Sequence, residues 1–89
     1  MLGKGEQMKK SVIVSNAYEN HDNPAAELVQ CACTFDCKVE IEHDSVVVNA
    51  KSIMGLMAFN PVEGMTVNII TTGVDEEQAI NAIEEFLCK

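Results

Sequence analysis

The sequence predicts an α+β open-faced β-sandwich of order β-α-β-β-α-β-α, a four-stranded antiparallel sheet with three helices on one face. Three observations predict it. Residues 38–43, Lys-Val-Glu-Ile-Glu-His, alternate strictly, the pattern of a strand with one wet and one buried face. The turn pair Asp44-Ser45 and the β-branched run Val46-Val47-Val48 follow at once, so the chain returns as a hairpin. Two stretches, Ala25/Leu28/Val29/Ala32/Phe35 and Ala79/Ile80/Ile83/Phe86/Leu87, each repeat apolar residues at helical spacing and need a sheet face to cover.

Taken in order, residues 1–7 are polar, carry two glycines and no pattern, and read as a flexible extension before a single domain over 8–89. Ser11-Val12-Ile13-Val14-Ser15 reads as the first strand. Residues 16–23 read as a polar loop. Pro24 opens the first helix, because a proline in the first turn removes no intrahelical hydrogen bond. The hairpin over 38–50 follows. Ser52 is a good N-cap for a short helix carrying Ile53, Leu56 and Met57, with Leu56 and Met57 expected in the core. Asn60-Pro61 ends that helix, and Glu63-Gly64 turns into a strand over 66–72. Asp75, with Gln78 three residues on, resembles a capping box for the last helix.

Charge excludes several function classes. The 89 residues hold 14 acidic against 6 basic side chains, a net charge of −8, and every basic residue is a lysine. Nucleic-acid binding needs a basic face, and an anionic membrane surface attracts one. No apolar run reaches the ~20 residues of a membrane-spanning helix. These features imply neither nucleic acid nor membrane as partner, and a cytoplasmic setting. There Cys31, Cys33, Cys37 and Cys88 are expected as free thiols. No metal is expected either: two residues apart on a helix is ~200° of rotation, so Cys31 and Cys33 point away from each other. His43 sits at the hairpin end without a visible partner. Glu76-Glu77 and Glu84-Glu85 read as a solvated helix face.

Two residues could carry chemistry. His21 stands just before a helix N-terminus, where free N–H groups favour an anion such as a phosphoryl group. On position alone the plainer reading, polar surface, wins, because exposed loop histidines are common. Ser52 reads first as an N-cap, and second as a phosphorylation site with Lys51 adjacent and apolar Ile53 and Met54 beside it.

From Met8 to Lys89 the chain resembles HPr, the histidine-containing phosphocarrier family of the bacterial sugar phosphotransferase system, including its regulatory relative Crh. The segment Val48-Asn49-Ala50-Lys51-Ser52-Ile53-Met54-Gly55-Leu56-Met57 is similar to the family's regulatory-serine segment. Gly73-Val74-Asp75-Glu76-Glu77-Gln78-Ala79 is similar to its last strand-to-helix turn, and His21 with Pro24-Ala25-Ala26 falls on His-x-Arg-Pro-Ala-Ala. The resemblance implies a phosphoryl carrier rather than a true enzyme, loaded by enzyme I, discharged to enzyme II A domains, and needing no cofactor. It implies His21 as phosphoryl acceptor and Ser52 as the site of an HPr kinase/phosphorylase. Pro24, Lys51, Ile53 and Met54 would dock partners, among them a catabolite control regulator. The chain departs from the pattern at one place. Asn23 occupies the arginine position, Asp22 adds an acid, and Glu19-Asn20 replaces a Gly-Leu or Gly-Ile. The alternative the departure opens is a Crh-like regulatory module acting through Ser52, with little histidine transfer. A phosphohistidine carries about two negative charges. Losing the arginine and gaining Asp22 therefore predicts an exposed His21 that accepts phosphate slowly.

Overall fold

The computed structural model describes residues 7–88. The extension expected over residues 1–7 lies outside the described residues except for Gln7, which is exposed. Four strands, β1 (Met8–Ile13), β2 (Lys38–His43), β3 (Val46–Asn49) and β4 (Thr66–Thr72), form one sheet of order β1-β4-β2-β3. All three pairings are antiparallel. The helices are α1 (Asn16–Glu19), α2 (Pro24–Cys33), α3 (Ile53–Phe59) and α4 (Glu76–Cys88).

The alternating pattern sorts the two faces of the sheet as expected. Val39 and Ile41 of β2 are fully buried and join Val12, Val67 and Ile69 of the neighbouring strands against Leu28, Ala32, Leu56, Ile80, Ile83 and Leu87 of the helices. Each fully buried side chain of this size contributes ~1.5–3 kcal/mol of transfer free energy. The other face carries charged pairs beside Ile13, Val47 and Ile70. Lys9 lies 3.4 Å from Glu42, Asn68 donates to the same carboxylate at 3.0 Å, and Lys38 pairs with Glu40 at 3.6 Å. Val29 and Phe35, expected inside, are only partly buried and pack on the core's rim. The hairpin turns through Asp44 and Ser45, both at positive φ (50° and 70°), the two-residue geometry that matches the twist of paired strands.

Several expectations need correction. The first strand runs over Met8–Ile13 rather than 11–15, because Val14 and Ser15 have already left the ladder: Val14 N–H donates to the Met65 carbonyl and Ser15 N–H to that of Leu87. Ser15 then caps α1, its hydroxyl accepting from Ala17 N–H at 3.1 Å. The first half of the expected polar loop is therefore a helical turn, and it buries Tyr18. Met57, expected in the core, is 66% exposed, because the inward side of α3 is taken by Leu56 and, three residues on, by Phe59 at the core's rim, and Met57 lies ~100° round from Leu56. His43 does have partners: Nδ1 bonds the Thr66 carbonyl at 2.8 Å and the ring meets Phe59 edge-on.

The start of α4 differs most from expectation. Asp75 does not form a capping box with Gln78. Its two carboxylate oxygens accept from the backbone N–H groups of Asp36 and Cys37, both at 2.9 Å, and so tie α4 to the α2–β2 connection. Gly73 makes the approach feasible: it sits at φ 148°, and a Cβ there would stand 2.6 Å from that of Cys37. Thr71, buried on the inner face of β4, donates its hydroxyl to the Glu76 carbonyl at 2.9 Å.

This tie makes stability depend on pH at both ends. The Asp36 N–H, chiefly, holds the Asp75 carboxyl below its ordinary value, helped by the Cys37 thiol and N–H. Asp75 therefore stabilises the fold fully above the ordinary carboxylate value of ~4, and that contribution fades as pH falls below it. Burial, then the hydrogen bond and charge of Asp75, push the Cys37 thiol from about 9 up to about 11. Its contribution is full below about 9 and is lost as pH rises towards 11. Urea midpoints across pH should thus fall at both ends, with Asp75→Asn flattening part of the acid limb and Cys37→Ala the alkaline one.

Candidate functional site

The loop between α1 and α2 carries His21, Asp22 and Asn23. α1 sets its start: His21 N–H donates back to the Tyr18 carbonyl, so the histidine follows the helical turn directly. Pro24 sets its end as the first residue of α2. Asn23 is the N-cap position but makes no side-chain capping bond. Glu27, in the first turn of α2, supplies what Asn23 does not. One of its carboxylate oxygens lies 2.8 Å from His21 Nδ1, and the other accepts from Asn23 N–H at 3.2 Å.

The imidazole also lies flat on Phe86 of α4, with ring centroids 4.1 Å apart and planes 4° from parallel. Tyr18 meets the same phenyl ring edge-on at 5.9 Å. His21 is therefore held by a carboxylate at one edge and an aromatic ring across one face. Its side chain is 33% exposed, less open than expected from the sequence. It borders a groove of about 460 Å³ that is also lined by Cys31, Ala82, Glu85 and Phe86. Burial, and then the charge of Glu85, raise the Cys31 thiol above its ordinary range, so it stays protonated at neutral pH. Among the described residues no three His, Cys, Asp or Glu side chains are gathered to hold a metal ion.

Ser52 stands apart from the histidine, at the N-cap of α3. Its hydroxyl accepts from Gly55 N–H at 3.3 Å, and the side chain is neither buried nor fully open. Next to it Ile53, Met54 and Met57 are 38%, 79% and 66% exposed, a run of apolar surface on a seven-residue helix. Lys51 is not turned towards Ser52. Its ammonium bonds the Phe35 carbonyl at 2.7 Å, beyond the end of α2. Asn23 and Pro24 face Met57 and Asn60 across a smaller groove of about 230 Å³, so the histidine loop and the α3 surface adjoin.

Two side chains at the site were not singled out from the sequence. Phe86 belongs to the apolar stripe of α4, yet it lies at the stripe's edge, partly buried, and stacks on His21. Glu27 carried only a faint signal, an acid four residues after an N-cap position.

Known proteins share this fold. The family model described as "PTS HPr component phosphorylation site" matches residues 8–89. The phosphocarrier protein HPr of Treponema pallidum is 44% identical over 77 residues, covering 86% of this chain and 88% of that protein. The HPr-like protein Crh of Halalkalibacterium halodurans is 47% identical over 66 residues, covering 74% of this chain and 79% of that one. The crystal structure of HPr from Bacillus anthracis superimposes with a TM-score of 0.86 at 37% identity, covering 93% of this chain and 99% of that one.

The stack on Phe86 has a spectroscopic consequence. A ring 4.1 Å above a phenyl face lies in its shielding cone, so the His21 ring protons should resonate upfield of those of a free imidazole. Phe86→Leu should return them to ordinary shifts and cost ~0.5–1.5 kcal/mol for the lost aromatic pair.

Proposed function

The chain belongs to the HPr family of phosphocarriers, and from that premise we propose that it carries a phosphoryl group on His21 and is regulated through Ser52. The observation that supports this best is the held imidazole: a half-exposed histidine at the entry to α2, fixed by Glu27 and Phe86 and bordering a groove a partner can reach. A carrier of this kind takes the group from enzyme I and passes it to enzyme II A domains. It is a relay rather than an enzyme, and it needs no cofactor. Pro24 borders the groove shared with α3, and Ile53 and Met54 are exposed, which suits them to partner contact. Lys51 contributes through the Phe35 carbonyl, holding the α2–β2 connection under the α3 surface.

Electrostatics decides the rate. The doubly charged phosphohistidine would have Asn23 where the family has a cation, and Asp22 beside it. Two unit charges ~6 Å apart interact by ~3 kcal/mol at an effective dielectric of ~20, and exposure reduces this to ~1 kcal/mol, close to tenfold for each unit. The first-turn N–H groups of α2 oppose this only in part.

A second reading draws on the same residues. A Crh-like regulatory module would use Ser52, modified by an HPr kinase/phosphorylase, with Ile53, Met54 and Met57 as the surface read by a catabolite control regulator. The apolar exposure of α3 supports it, as does the missing cation at Asn23.

Phosphoenolpyruvate and enzyme I test the first reading. The parent protein should be modified slowly and His21→Ala not at all. Asp22→Ala combined with Asn23→Arg should be modified ten- to a hundredfold faster. A parent that stays unmodified while an HPr kinase modifies Ser52 would favour the second reading.

A further inference from the structure

We propose that Glu27 sets the loading rate of His21 by occupying, in the unloaded chain, the place that the phosphoryl group takes on the ring. The proposal rests on the reading of His21 as phosphoryl acceptor and deepens it. One carboxylate spans two points at the start of α2: Oε1 lies 2.8 Å from His21 Nδ1, and Oε2 accepts from Asn23 N–H at 3.2 Å. Nδ1 is thus the ring nitrogen turned towards the helix start. The first-turn N–H groups of α2 favour an anion there, and the Asn23 side chain caps none of them. A phosphoryl group bonded to Nδ1 sets its oxygens against those N–H groups, whereas one on the far nitrogen is carried away from them. Carboxylate and phosphoryl group therefore compete for one space. The carboxylate also fixes the ring proton. An ionised carboxylate can only accept hydrogen bonds, so the shared hydrogen belongs to Nδ1. A neutral imidazole has one N–H and one lone pair, and in this tautomer Nδ1 has no lone pair with which to attack. Phe86, stacked on one face of the ring, holds its plane while Glu27 holds its edge.

Loading therefore begins with release. Glu27 turns out into solvent, where its side chain is already 38% exposed, and the ring proton moves through water from Nδ1 to Nε2. The Nδ1 lone pair then attacks the phosphorus of a phosphohistidine on a donor protein. The donor's P–N bond breaks, and its electron pair returns to the donor imidazole. His21 keeps its proton on Nε2, and the phosphoryl oxygens take over Asn23 N–H from Glu27. Discharge to an acceptor is the reverse, and Glu27 returns once the ring is free. The contact exists only in the unloaded chain, so it raises the barrier to loading and leaves the barrier to discharge unchanged. A charge-assisted hydrogen bond at this exposure corresponds to about tenfold in rate. Asp22 and Asn23 act on the loaded chain and Glu27 on the unloaded one, so the two effects are separable.

The test loads the full chain with phosphoenolpyruvate and enzyme I and discharges it to an enzyme II A domain. Glu27→Ala should load about tenfold faster than the parent and discharge at the parent's rate. Glu27→Gln, equal in length but uncharged, should load at an intermediate rate. Labelling with ¹⁵N adds a readout that a merely structural role would not move. Long-range ¹H–¹⁵N spectra, at a pH where the ring is neutral, should show Nδ1–H in the unloaded parent and chiefly Nε2–H in Glu27→Ala. The Asn23 amide proton should move upfield in unloaded Glu27→Ala and return downfield when that variant is loaded. Loaded chains should carry the phosphoryl group on Nδ1. A Glu27→Ala chain that loads no faster than the parent, an Nε2–H tautomer in the unloaded parent, or a phosphoryl group on Nε2 overturns the proposal. The carrier reading survives each of these as long as the chain loads. If neither the parent nor Glu27→Ala loads while an ordinary HPr does, the carrier reading fails and takes the proposal with it. Alanine suits an exposed helix position, so Glu27→Ala should fold as the parent does, and Glu27→Gln decides the matter if it does not.

Discussion

The seating of α4 is the constraint on which both the core and the site depend. Its apolar stripe closes the sheet through Ile80, Ile83 and Leu87, all essentially buried. Burial alone would let a helix slide or roll by a fraction of a turn. Asp75 prevents this at the N-terminal end by accepting two backbone N–H groups from the α2–β2 connection, and Lys10 binds Glu84 at 2.6 Å further along. The close approach at Gly73 brings those partners into range. About three turns beyond Asp75, Phe86 emerges one residue before the buried Leu87, rotated ~100° from it, and so meets the histidine instead of the sheet. A helix placed for folding thereby supplies the platform on which the His21 ring lies.

Around that ring two electrostatic effects oppose each other. The chain carries a net charge of −8, and Asp22, Glu27 and Glu85 are all near the histidine in sequence or in the groove. Negative surroundings raise the cost of adding a phosphoryl group. They also favour positive charge on the imidazole that receives it. Geometry decides which effect governs each acid. Glu27 touches the ring nitrogen and acts on the ring's charge. Asp22, next in the chain, makes no such contact; in the proposed carrier it would act on the phosphoryl oxygens.

Much of this fold was legible in the sequence because period-2 and period-3.6 patterns report directly on burial. The β2–β3 hairpin, the two long helices, the Ser52 cap and the Asn60-Pro61 stop all follow from local chemistry, and they were found where expected. What was not legible depends on partners distant in the chain. Asp75 and Gln78 looked like a capping box, because nothing local reveals that Asp36 and Cys37 bring their N–H groups to the same carboxylate. Met57 looked apolar and therefore buried, but Leu56 and Phe59 take the inward side of this short helix and Met57 is rotated away from it. The turn Asn16–Glu19 was hidden by its polar composition, since only Tyr18 in it is buried. His21 and Ser52 are candidates that motif and position single out. Glu27 and Phe86 could not be singled out in this way, because their importance lies in contacts across six and sixty-five residues.

The central claim is that this protein relays a phosphoryl group and does not merely accept one. The direct measurement is a chase. The protein is loaded with ³²P from labelled phosphoenolpyruvate through enzyme I, freed of enzyme I, and mixed with an excess of an enzyme II A domain. The account predicts acid-labile label on His21 that leaves this chain and appears on the acceptor. Label that never reaches His21, or that reaches it and stays there in the presence of competent acceptors, would contradict it.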